Sequence, residues 1–402
     1  MYENMRALLL SCRHSLRDPR PSRMVKILGD LYQKGTIHEI HLFSYEEGTF
    51  LKKDLQRGVP YSFLNLMSPS FIEKIIQRVM AILFPKRMAK CFLFFQKNDM
   101  NRFKNSTYDL IICHDLVLLP LATFLKKKSK HAFLIFDARE FYPLEFESSF
   151  FWRLQFKRLY TFLCQFYLPL CDEVLTVSKG LQGLYEKYFS CGTRLFYSLP
   201  LYESLEPSPI DDKCIQLIYH GACNPDRGIH NLIEMMDFLP KSYHLTLILV
   251  KGSGSKRYER NLRRIAFTRN VSMIDPFDPS EIVQKTASFD IGLCCFQSTT
   301  ANLHHSMPNK LFEYIQSRLM VVTTPLHDLS EFVIKEDIGR VTKGFSPKEM
   351  AETFLSLSVK DIQRYKKNAS LKATVYNYQA QEEEVKKMIA SRPSLPFQRT
   401  HT

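Results

Sequence analysis

The sequence predicts an α/β protein built from two doubly wound, parallel-sheet domains. Apolar strand-like runs alternate with helical patterns along the chain, as in βαβ units. A segment rich in Pro, Ser and Asp, residues 199–212, separates two such series. At 402 residues the chain is long enough for two units of about 100–200 residues. We therefore predict an N-terminal domain (1–198), a linker (199–212), a second domain (213–372), and a C-terminal helix and tail (373–402) that returns to the first domain.

Each series contains several predicted strands and helices in order. The first has one early helix, Pro21–Lys34, and the strands Ala7–Ser11, Ile37–Ser44, Leu110–Cys113, Ala132–Asp137 and Glu173–Val177. The second has the strands Ile215–His220, Leu245–Val250, Val271–Ile274, Ile291–Cys295 and Leu319–Thr324, with helices at Ile229–Phe238, Arg257–Phe267 and Pro279–Lys285. Because parallel strands all end at one edge of their sheet, chemistry is expected on the loops that follow them.

The segment Ala301–Ile315 carries the strongest functional pattern. A polar loop leads into a helix that starts at Pro308-Asn309-Lys310 and has Glu313 on its first turns. Unpaired backbone N–H groups and the helix dipole attract phosphate at such a start, and Lys310 adds a point charge. Glu313 can accept hydrogen bonds from the paired hydroxyls of a ribose. The alternative is an ordinary capped surface helix, since Pro308 suits a first helical position on local grounds alone.

The surroundings of this segment carry a resemblance to a known family. A strand led by Asp290, a loop, the block Pro308–Tyr314, and an apolar strand closed by Pro325 follow in that order. This order resembles the donor half of family 4 glycosyltransferases with the GT-B fold, most of all the bacterial enzymes of surface polysaccharide biosynthesis. The resemblance implies two Rossmann-like domains facing a central cleft, and a nucleotide-sugar donor whose anomeric configuration is retained.

Four other fragments resemble the same family, and together they cover most of the chain. They are Ser15–Arg20, similar to an Asp-Pro-Arg loop; Phe136–Tyr142, similar to an Asp-Ala-His-Glu segment of the acceptor half; Cys171–Ser178, similar to the strand that closes that half; and Tyr219–Gly228, similar to the strand and glycine loop that open the donor half.

The resemblance implies roles for residues of the second domain. Negative charge develops on a departing diphosphate, so fixed positive charge is needed beside it. We expect Arg227, just before Gly228, and Lys310 to supply that charge; for each, the alternative is an ordinary surface residue. The expected donor-binding residues are Gly221, Asn309, Glu313 and His305. His305 stands eight positions before Glu313, where the family often has a second glutamate.

In the first domain the same comparison implies an acceptor side with Asp18, His114 and Asp115, and catalytic roles for Arg139 and Glu140. Arg139 stands where the family segment has histidine; it cannot shuttle protons but can bind phosphate or an acidic sugar. Asp115 could instead cap a helix at Leu116–Phe124, and Glu140 could orient a sugar hydroxyl or pair with Arg139. The first loop adds four basic residues: Arg13, His14, Arg17 and Arg20.

No cofactor and no metal are expected. The family resemblance implies metal-free transfer, and the sequence has no Asp-x-Asp pair. His304 and His305 are adjacent but have no carboxylate or cysteine close to them in the sequence, so we interpret them as loop residues. The ten cysteines form no Cys-x-x-Cys pair, which favours a reducing cytosol over a disulfide framework.

Charge and apolar patterning predict peripheral binding to the inner face of a membrane. The chain carries a net charge of +14 and has no uninterrupted apolar run of spanning length. An apolar helical stripe in Phe71–Leu83 is followed by Lys86, Arg87 and Lys90, and Phe150–Tyr160 mixes aromatic with basic residues. Both could instead be helices packed on the core. Nucleic acid is not an expected partner, because no nucleic-acid-binding module is present.

These observations predict a cytoplasmic, retaining hexosyl- or other glycosyltransferase. It would move a sugar from a nucleotide-sugar to a cell-surface glycan or lipid-linked acceptor, and it could act in a complex with other glycan-assembly enzymes. Two alternatives stay open: a nucleotide-sugar epimerase of the same fold, and a catalytically silent GT-B subunit of a glycosyltransferase complex.

Overall fold

A computed structural model describes residues 5–12, 18–44, 58–65, 71–92, 100–101, 103, 105–129, 131–250 and 256–390. The chain divides into two compact units, one formed by Met1–Tyr197 with Glu382–Thr402 and one by Ser198–Gln381. Each unit contains one parallel sheet, as the alternating pattern predicts. The functional labels of the two domains, acceptor side and donor side, stay predictions.

Unit 1 has a seven-stranded parallel sheet with the order β3-β2-β1-β4-β5-β6-β7. Its strands are β1 Met5–Leu10, β2 Ile37–Ser44, β3 Tyr61–Asn65, β4 Leu110–Cys113, β5 Phe133–Ala138, β6 Glu173–Thr176 and β7 Arg194–Leu195. Its helices are α1 Pro19–Gln33, α2 Phe71–Leu83, α3 Pro85–Lys90, α4 Leu119–Lys128, α5 Phe150–Trp152, α6 Arg158–Tyr167 and α7 Lys179–Phe189. A π-helical segment, Arg153–Lys157, joins α5 to α6.

Unit 2 has a six-stranded parallel sheet with the order β10-β9-β8-β11-β12-β13. Its strands are β8 Ile215–Ala222, β9 Tyr243–Val250, β10 Val271–Ile274, β11 Ile291–Cys294, β12 Met320–Thr323 and β13 Gly339–Val341. Its helices are α8 Ile229–Met235, α9 Lys256–Ala266, α10 Ile282–Thr286, α11 Ala301–His304, α12 Asn309–Gln316, α13 His327–Lys335, α14 Pro347–Leu355 and α15 Val359–Ala373. The last helix, α16 Tyr378–Ala390, begins in unit 2 and ends in unit 1, where Glu382 pairs with Lys34.

Both strand orders reverse direction beside the first strand of the unit. In unit 1 the reversal lies between β1 and β4, and in unit 2 between β8 and β11. Strands at these positions are buried on both faces: Leu110–Cys113 and Ile291–Cys294 are buried throughout, as their unbroken apolar runs require. Ligands of doubly wound sheets bind at the carboxyl ends of strands beside such a reversal. The loops after β1, β4, β8 and β11 are therefore the places to look for a site.

Gly292 on β11 sets how closely helix α12 approaches the sheet of unit 2. A Cβ atom built on Gly292 would lie 2.4 Å from the ring of Tyr314, which is fully buried. The Tyr314 hydroxyl donates to Ile218 O at 3.3 Å, so the ring connects α12 to β8. Only glycine leaves room for this ring.

We predict that Gly292→Ala destabilises unit 2 by about 1–3 kcal/mol, the usual cost of overpacking a core. The matched control is Gly183→Ala in helix α7, where an added Cβ meets nothing within 4 Å and the helix should gain about 0.4–1 kcal/mol. Urea denaturation followed by circular dichroism measures both. Equal stabilities of the two variants would contradict this account of Gly292.

Candidate functional site

Helix α12 begins one residue later than the sequence suggests. Pro308 is the N-cap, with extended backbone angles (φ −75°, ψ 147°), and Asn309 is the first helical residue. The expectation that Pro308 takes the first helical position is therefore wrong by one residue. A proline N-cap has no side-chain oxygen to accept from the helix start, so the first N–H groups of α12 receive no side-chain cap.

The ammonium group of Lys310 is buried against aromatic rings. Its Nζ lies 3.4 Å from the centroid of the Tyr219 ring and 4.9 Å from that of Phe296. It has no hydrogen-bond partner in the described part of the chain. Burial, with a further contribution from the charge of nearby Arg227, lowers the pKa of Lys310 to about 7. The protonated amine of Lys310 lacks hydrogen bonds in this environment, and an anionic ligand could supply them.

Gly221 makes room for this ammonium group. Its backbone has φ +144°, a conformation that side chains disfavour, and an added Cβ would lie 3.1 Å from Lys310 Nζ. Gly221 ends the run Tyr219-His220-Gly221 near the end of β8. The structure thus brings the predicted residues Gly221 and Lys310 together.

Arg227 lies beside the same Phe296 ring as Lys310. Its guanidinium carbon lies 5.1 Å from the centroid of Phe296, in a loop shaped by a 3₁₀ turn, Pro225–Arg227. The Asn224 side chain accepts from Asp226 N at 3.1 Å, and Gly228 with φ +64° begins helix α8. Two basic side chains, one from the loop after β8 and one from the first turn of α12, therefore share one ring.

Sequence reasoning missed Phe296 and His220 as members of this group. Phe296 is buried just after β11. Its place in the loop after a predicted strand is the sequence feature that could have identified it. His220 Nε2 lies 3.6 Å from Glu313 Oε2. Burial and the nearby Lys310 charge lower the pKa of His220 well below its usual range, so the ring is neutral at physiological pH. Glu313 is largely buried, its side chain 13% exposed, and Asn309 is half-buried.

His305 is paired with a carboxylate of helix α13. Its Nδ1 donates to Asp328 Oδ2 at 2.6 Å, at the start of α13. His304, whose Nδ1 contacts Ser298 Oγ at 2.9 Å, and His327 lie beside it. The donor-binding role of His305 stays a prediction.

In unit 1 a buried carboxylate organises the loops at the sheet edge. Asp137, at the end of β5, accepts from Arg20 Nε at 2.6 Å and forms an ion pair with His114 Nδ1 at 2.9 Å. Burial opposes its ionisation, but Arg20 and His114 outweigh burial and hold the pKa of Asp137 well below its usual range. The other ring nitrogen of His114, Nε2, is buried and has no partner among the described residues.

Arg139 lies between two predicted acceptor-side carboxylates. Its guanidinium donates to Asp18 Oδ2 at 3.2 Å and to Asp115 Oδ1 at 3.1 Å. Asp115 also accepts from Cys12 N at 2.6 Å and makes no helix-capping bond, so the reading of Asp115 as a side-chain helix cap is wrong. Arg139 thus ties together the loops after β1, β4 and β5.

Glu140 and Arg20 are the other predicted residues of unit 1 that the structure describes. Burial disfavours the charged form of Arg139, but four neighbours outweigh burial and raise its pKa: Tyr142, Asp115, Asp18 and Glu140. Glu140 therefore acts on Arg139 electrostatically. The Glu140 carbonyl accepts from the Tyr185 hydroxyl at 2.8 Å. Arg20 turns inward to Asp137. The predictions for Arg13, His14 and Arg17 fall outside the described residues.

Comparisons with known proteins identify the fold. No protein-family model and no curated protein matches the sequence. Similar solved structures include the sucrose-phosphate synthase of Thermosynechococcus elongatus (12% identity, TM-score 0.72, 96% of this chain and 98% of that chain). A trehalose-6-phosphate structure from E. coli bound with UDP-2-fluoro glucose is also similar (14%, 0.69, 96% and 99%). So is Anabaena Alr3699/HepE in complex with UDP and glucose (13%, 0.67, 96% and 100%). At these identities the likeness shows the fold, two parallel-sheet α/β units of the GT-B class.

The buried state of Lys310 predicts a pH-dependent stability. The pKa of its amine is about 7 in the folded chain and near 10.5 when exposed, so between these values the unfolded chain holds a proton that the folded chain lacks. Stability from this group therefore rises with pH across that window. Relative to Lys310→Met, the wild type should gain up to about 1.4 kcal/mol of unfolding free energy per pH unit.

Urea denaturation of both proteins at pH 7, 8 and 9 measures this difference. The other titrating groups are common to the two proteins and cancel in the subtraction. A stability difference that does not change with pH would show that Lys310 titrates as an ordinary surface lysine.

Proposed function

We propose that the chain is a retaining glycosyltransferase that moves a sugar from a nucleotide-sugar to a cell-surface glycan or lipid-linked acceptor. The observation that carries this proposal is that two basic side chains, Lys310 and Arg227, both lie against the Phe296 ring beside the start of α12. A carboxylate, Glu313, lies on the same helix. Basic groups suited to a phosphate and a carboxylate suited to a ribose therefore lie near the start of one helix. The resemblance to family 4 agrees with this reading.

In the proposed reaction, the bond between the anomeric carbon and the diphosphate breaks, and the acceptor oxygen bonds to that carbon. The acceptor proton passes to a phosphate oxygen of the leaving diphosphate, so no dedicated carboxylate base is required. Lys310 and Arg227 stabilise the charge that develops on the diphosphate. Because Gly221 leaves the space that Lys310 Nζ occupies, it would keep the ammonium group close to the backbone near the end of β8. Glu313 would accept from the ribose hydroxyls, and Asn309 lies at the N–H end of the helix.

The acceptor-side roles rest on the charged network of unit 1. Asp137 holds His114 by Nδ1, which leaves Nε2 as the ring nitrogen that could meet a sugar hydroxyl. Arg139 is paired with two carboxylates, so we propose that it positions Asp18 and Asp115 rather than binding an anion alone. Glu140 lies next to it in the same loop.

We predict that wild-type chain binds at least one nucleotide-sugar from a panel of uridine, guanosine, cytidine and thymidine derivatives. Isothermal titration calorimetry measures binding, and release of nucleoside diphosphate measures turnover. Arg227→Gln should lower the rate by roughly 10²–10³, as for loss of one transition-state donor. The control is Arg260→Gln, an exposed arginine on α9 whose change should leave the rate unaltered.

The outcomes separate the three candidate functions. A silent subunit would bind the panel without turnover or would not bind at all. An epimerase would change the stereochemistry of the donor sugar without an acceptor, which NMR of the donor detects. No binding by the wild type, or equal rates for Arg227→Gln and Arg260→Gln, would contradict the proposed transferase.

We also propose that unit 1 binds the surface of an anionic membrane through one apolar face. We define this face by side chains of α2, of the residue after it, and of the α5 region: Ile72, Ile75, Ile76, Val79, Leu83, Phe84, Phe150, Phe151 and Leu154, which are 45–72% exposed. The reading of both stripes as fully packed core helices therefore does not fit the structure. In the described residues no helix has the length and apolar character needed to cross a bilayer.

Basic residues surround the apolar face. Lys86, Arg87 and Lys90 on α3 are exposed, as are Lys74 and Arg78 on α2. Basic side chains near an anionic surface contribute about 1 kcal/mol each, and inserted apolar side chains add to this. Such a surface suits binding to the cytoplasmic face of a membrane. Lipid-linked acceptors and other glycan-assembly enzymes would be located there.

We predict that the double variant Ile72→Glu/Ile76→Glu binds vesicles with 30% phosphatidylglycerol at least about ten-fold more weakly than wild type, because two apolar contacts are lost. Co-sedimentation measures the bound fraction. The control is Phe267→Glu, an 88% exposed aromatic in unit 2. Equal binding of both variants, or no binding of the wild type to these vesicles, would contradict the membrane proposal.

A further inference from the structure

A histidine-carboxylate cluster in unit 2 lies outside the group around Lys310. His305 comes from the loop after β11, and His327 and Asp328 are the first residues of α13, after β12. His305 Nδ1 is 2.6 Å and His327 Nδ1 3.6 Å from the same oxygen, Asp328 Oδ2. One ligand atom from each of the three side chains lies within 4.8 Å of the others.

These donors match the coordination preferences of a divalent transition metal. Imidazole nitrogen and carboxylate oxygen bind Zn²⁺ at about 2.0–2.2 Å, which places tetrahedral ligand atoms roughly 3.3 Å apart. The His327–Asp328 separation already has about this value. The His305–Asp328 hydrogen bond would open by roughly 0.7 Å around an ion of this size. Two imidazoles with one carboxylate favour Zn²⁺, Co²⁺ or Ni²⁺ over Mg²⁺, which prefers oxygen ligands.

The cluster also has the burial pattern of a site that an ion can enter. The Asp328 side chain is 5% exposed and that of His305 is 18% exposed, so the carboxylate and one ring are held in place. The His327 side chain is 58% exposed and opens to solvent. A third ring, His304, has its centroid 4.9 Å from that of His305 and 5.8 Å from that of His327. It could supply a fourth ligand, since structural Zn²⁺ usually has four.

We propose that His305, His327 and Asp328 form a binding site for a divalent transition metal, with His304 at its edge. The ion takes the place of the proton between His305 Nδ1 and Asp328 Oδ2, and the single proton of the neutral His305 ring then sits on Nε2. Bound metal links the loop before α12 to the start of α13. The proposal does not rest on the transferase activity and assigns the metal no part in it.

Metal binding is measured on the full chain after treatment with a chelator and dialysis. Competition against a chromogenic zinc chelator gives the affinity, and the visible spectrum of the Co²⁺ form reports the ligands. We expect the wild type to bind Zn²⁺ and to give Co²⁺ bands without thiolate charge-transfer absorption. His327→Ala should weaken Zn²⁺ binding at least about ten-fold, since loss of an outer-sphere partner alone costs this much. Mg²⁺ should not compete.

The matched control is His38→Ala, which removes an exposed histidine on β2 of unit 1 and should leave Zn²⁺ affinity unchanged. Asp328→Asn provides a second test, with circular dichroism to verify that it folds. Thiolate absorption in the Co²⁺ form would place the metal on cysteines instead. That result, or equal Zn²⁺ affinities of His327→Ala and His38→Ala, would overturn the proposal. Neither depends on whether nucleotide-sugars bind.

Discussion

The burial of the Lys310 amine, which has no hydrogen-bond partner among the residues that the structure describes, is the main constraint on the candidate site of unit 2. Taking a lysine charge out of water is costly, and the Tyr219 and Phe296 ring faces return only part of that cost. The space for Lys310 exists because position 221 is glycine in a conformation that other residues disfavour. A core position chosen for stability alone would carry an apolar side chain there. The cost is reasonable if a diphosphate completes the site.

Unit 1 differs from unit 2 because its buried charged groups at the sheet edge are paired with groups of opposite charge. Asp137 is wholly buried, and its carboxylate is paired with Arg20 and His114, as buried charges must be. Arg139 repeats the arrangement nearer the surface with two carboxylates. The result is a rigid edge in which only selected atoms, such as His114 Nε2, lack a partner within the described residues. Under the proposed function, the paired charges of unit 1 would form the acceptor side, and Lys310 would gain its missing partners when a donor binds.

The sequence predicted the sheets well because buried parallel strands have unbroken apolar runs. Ile37–Ser44, Leu110–Cys113 and Val271–Ile274 have the predicted bounds, and the ends of the other predicted strands shift by one or two residues. The strands β3, β7 and β13 were not predicted: β7 is two residues long and β13 three, too short for a periodic pattern. Within the site, Gly221, Arg227, Lys310 and Glu313 could be named from local motifs. Partnerships between distant loops, such as Arg139 with Asp18 at a separation of 121 residues, leave no local pattern.

The same limit explains why His305 was difficult to interpret. The resemblance leads one to expect a carboxylate at this position, and the structure places one beside His305 from the start of α13, through Asp328. With neutral His305 the pair has a charge of −1, as a glutamate would, and can still accept from a hydroxyl. A divalent ion held by neutral His305, neutral His327 and ionised Asp328 changes the charge to +1. Such an ion would attract an anionic group of a ligand. The metal-bound carboxylate would then no longer be available to accept a hydrogen bond from a sugar hydroxyl. At the proposed metal site, the charge of the His305–Asp328 pair would therefore depend on whether metal is bound.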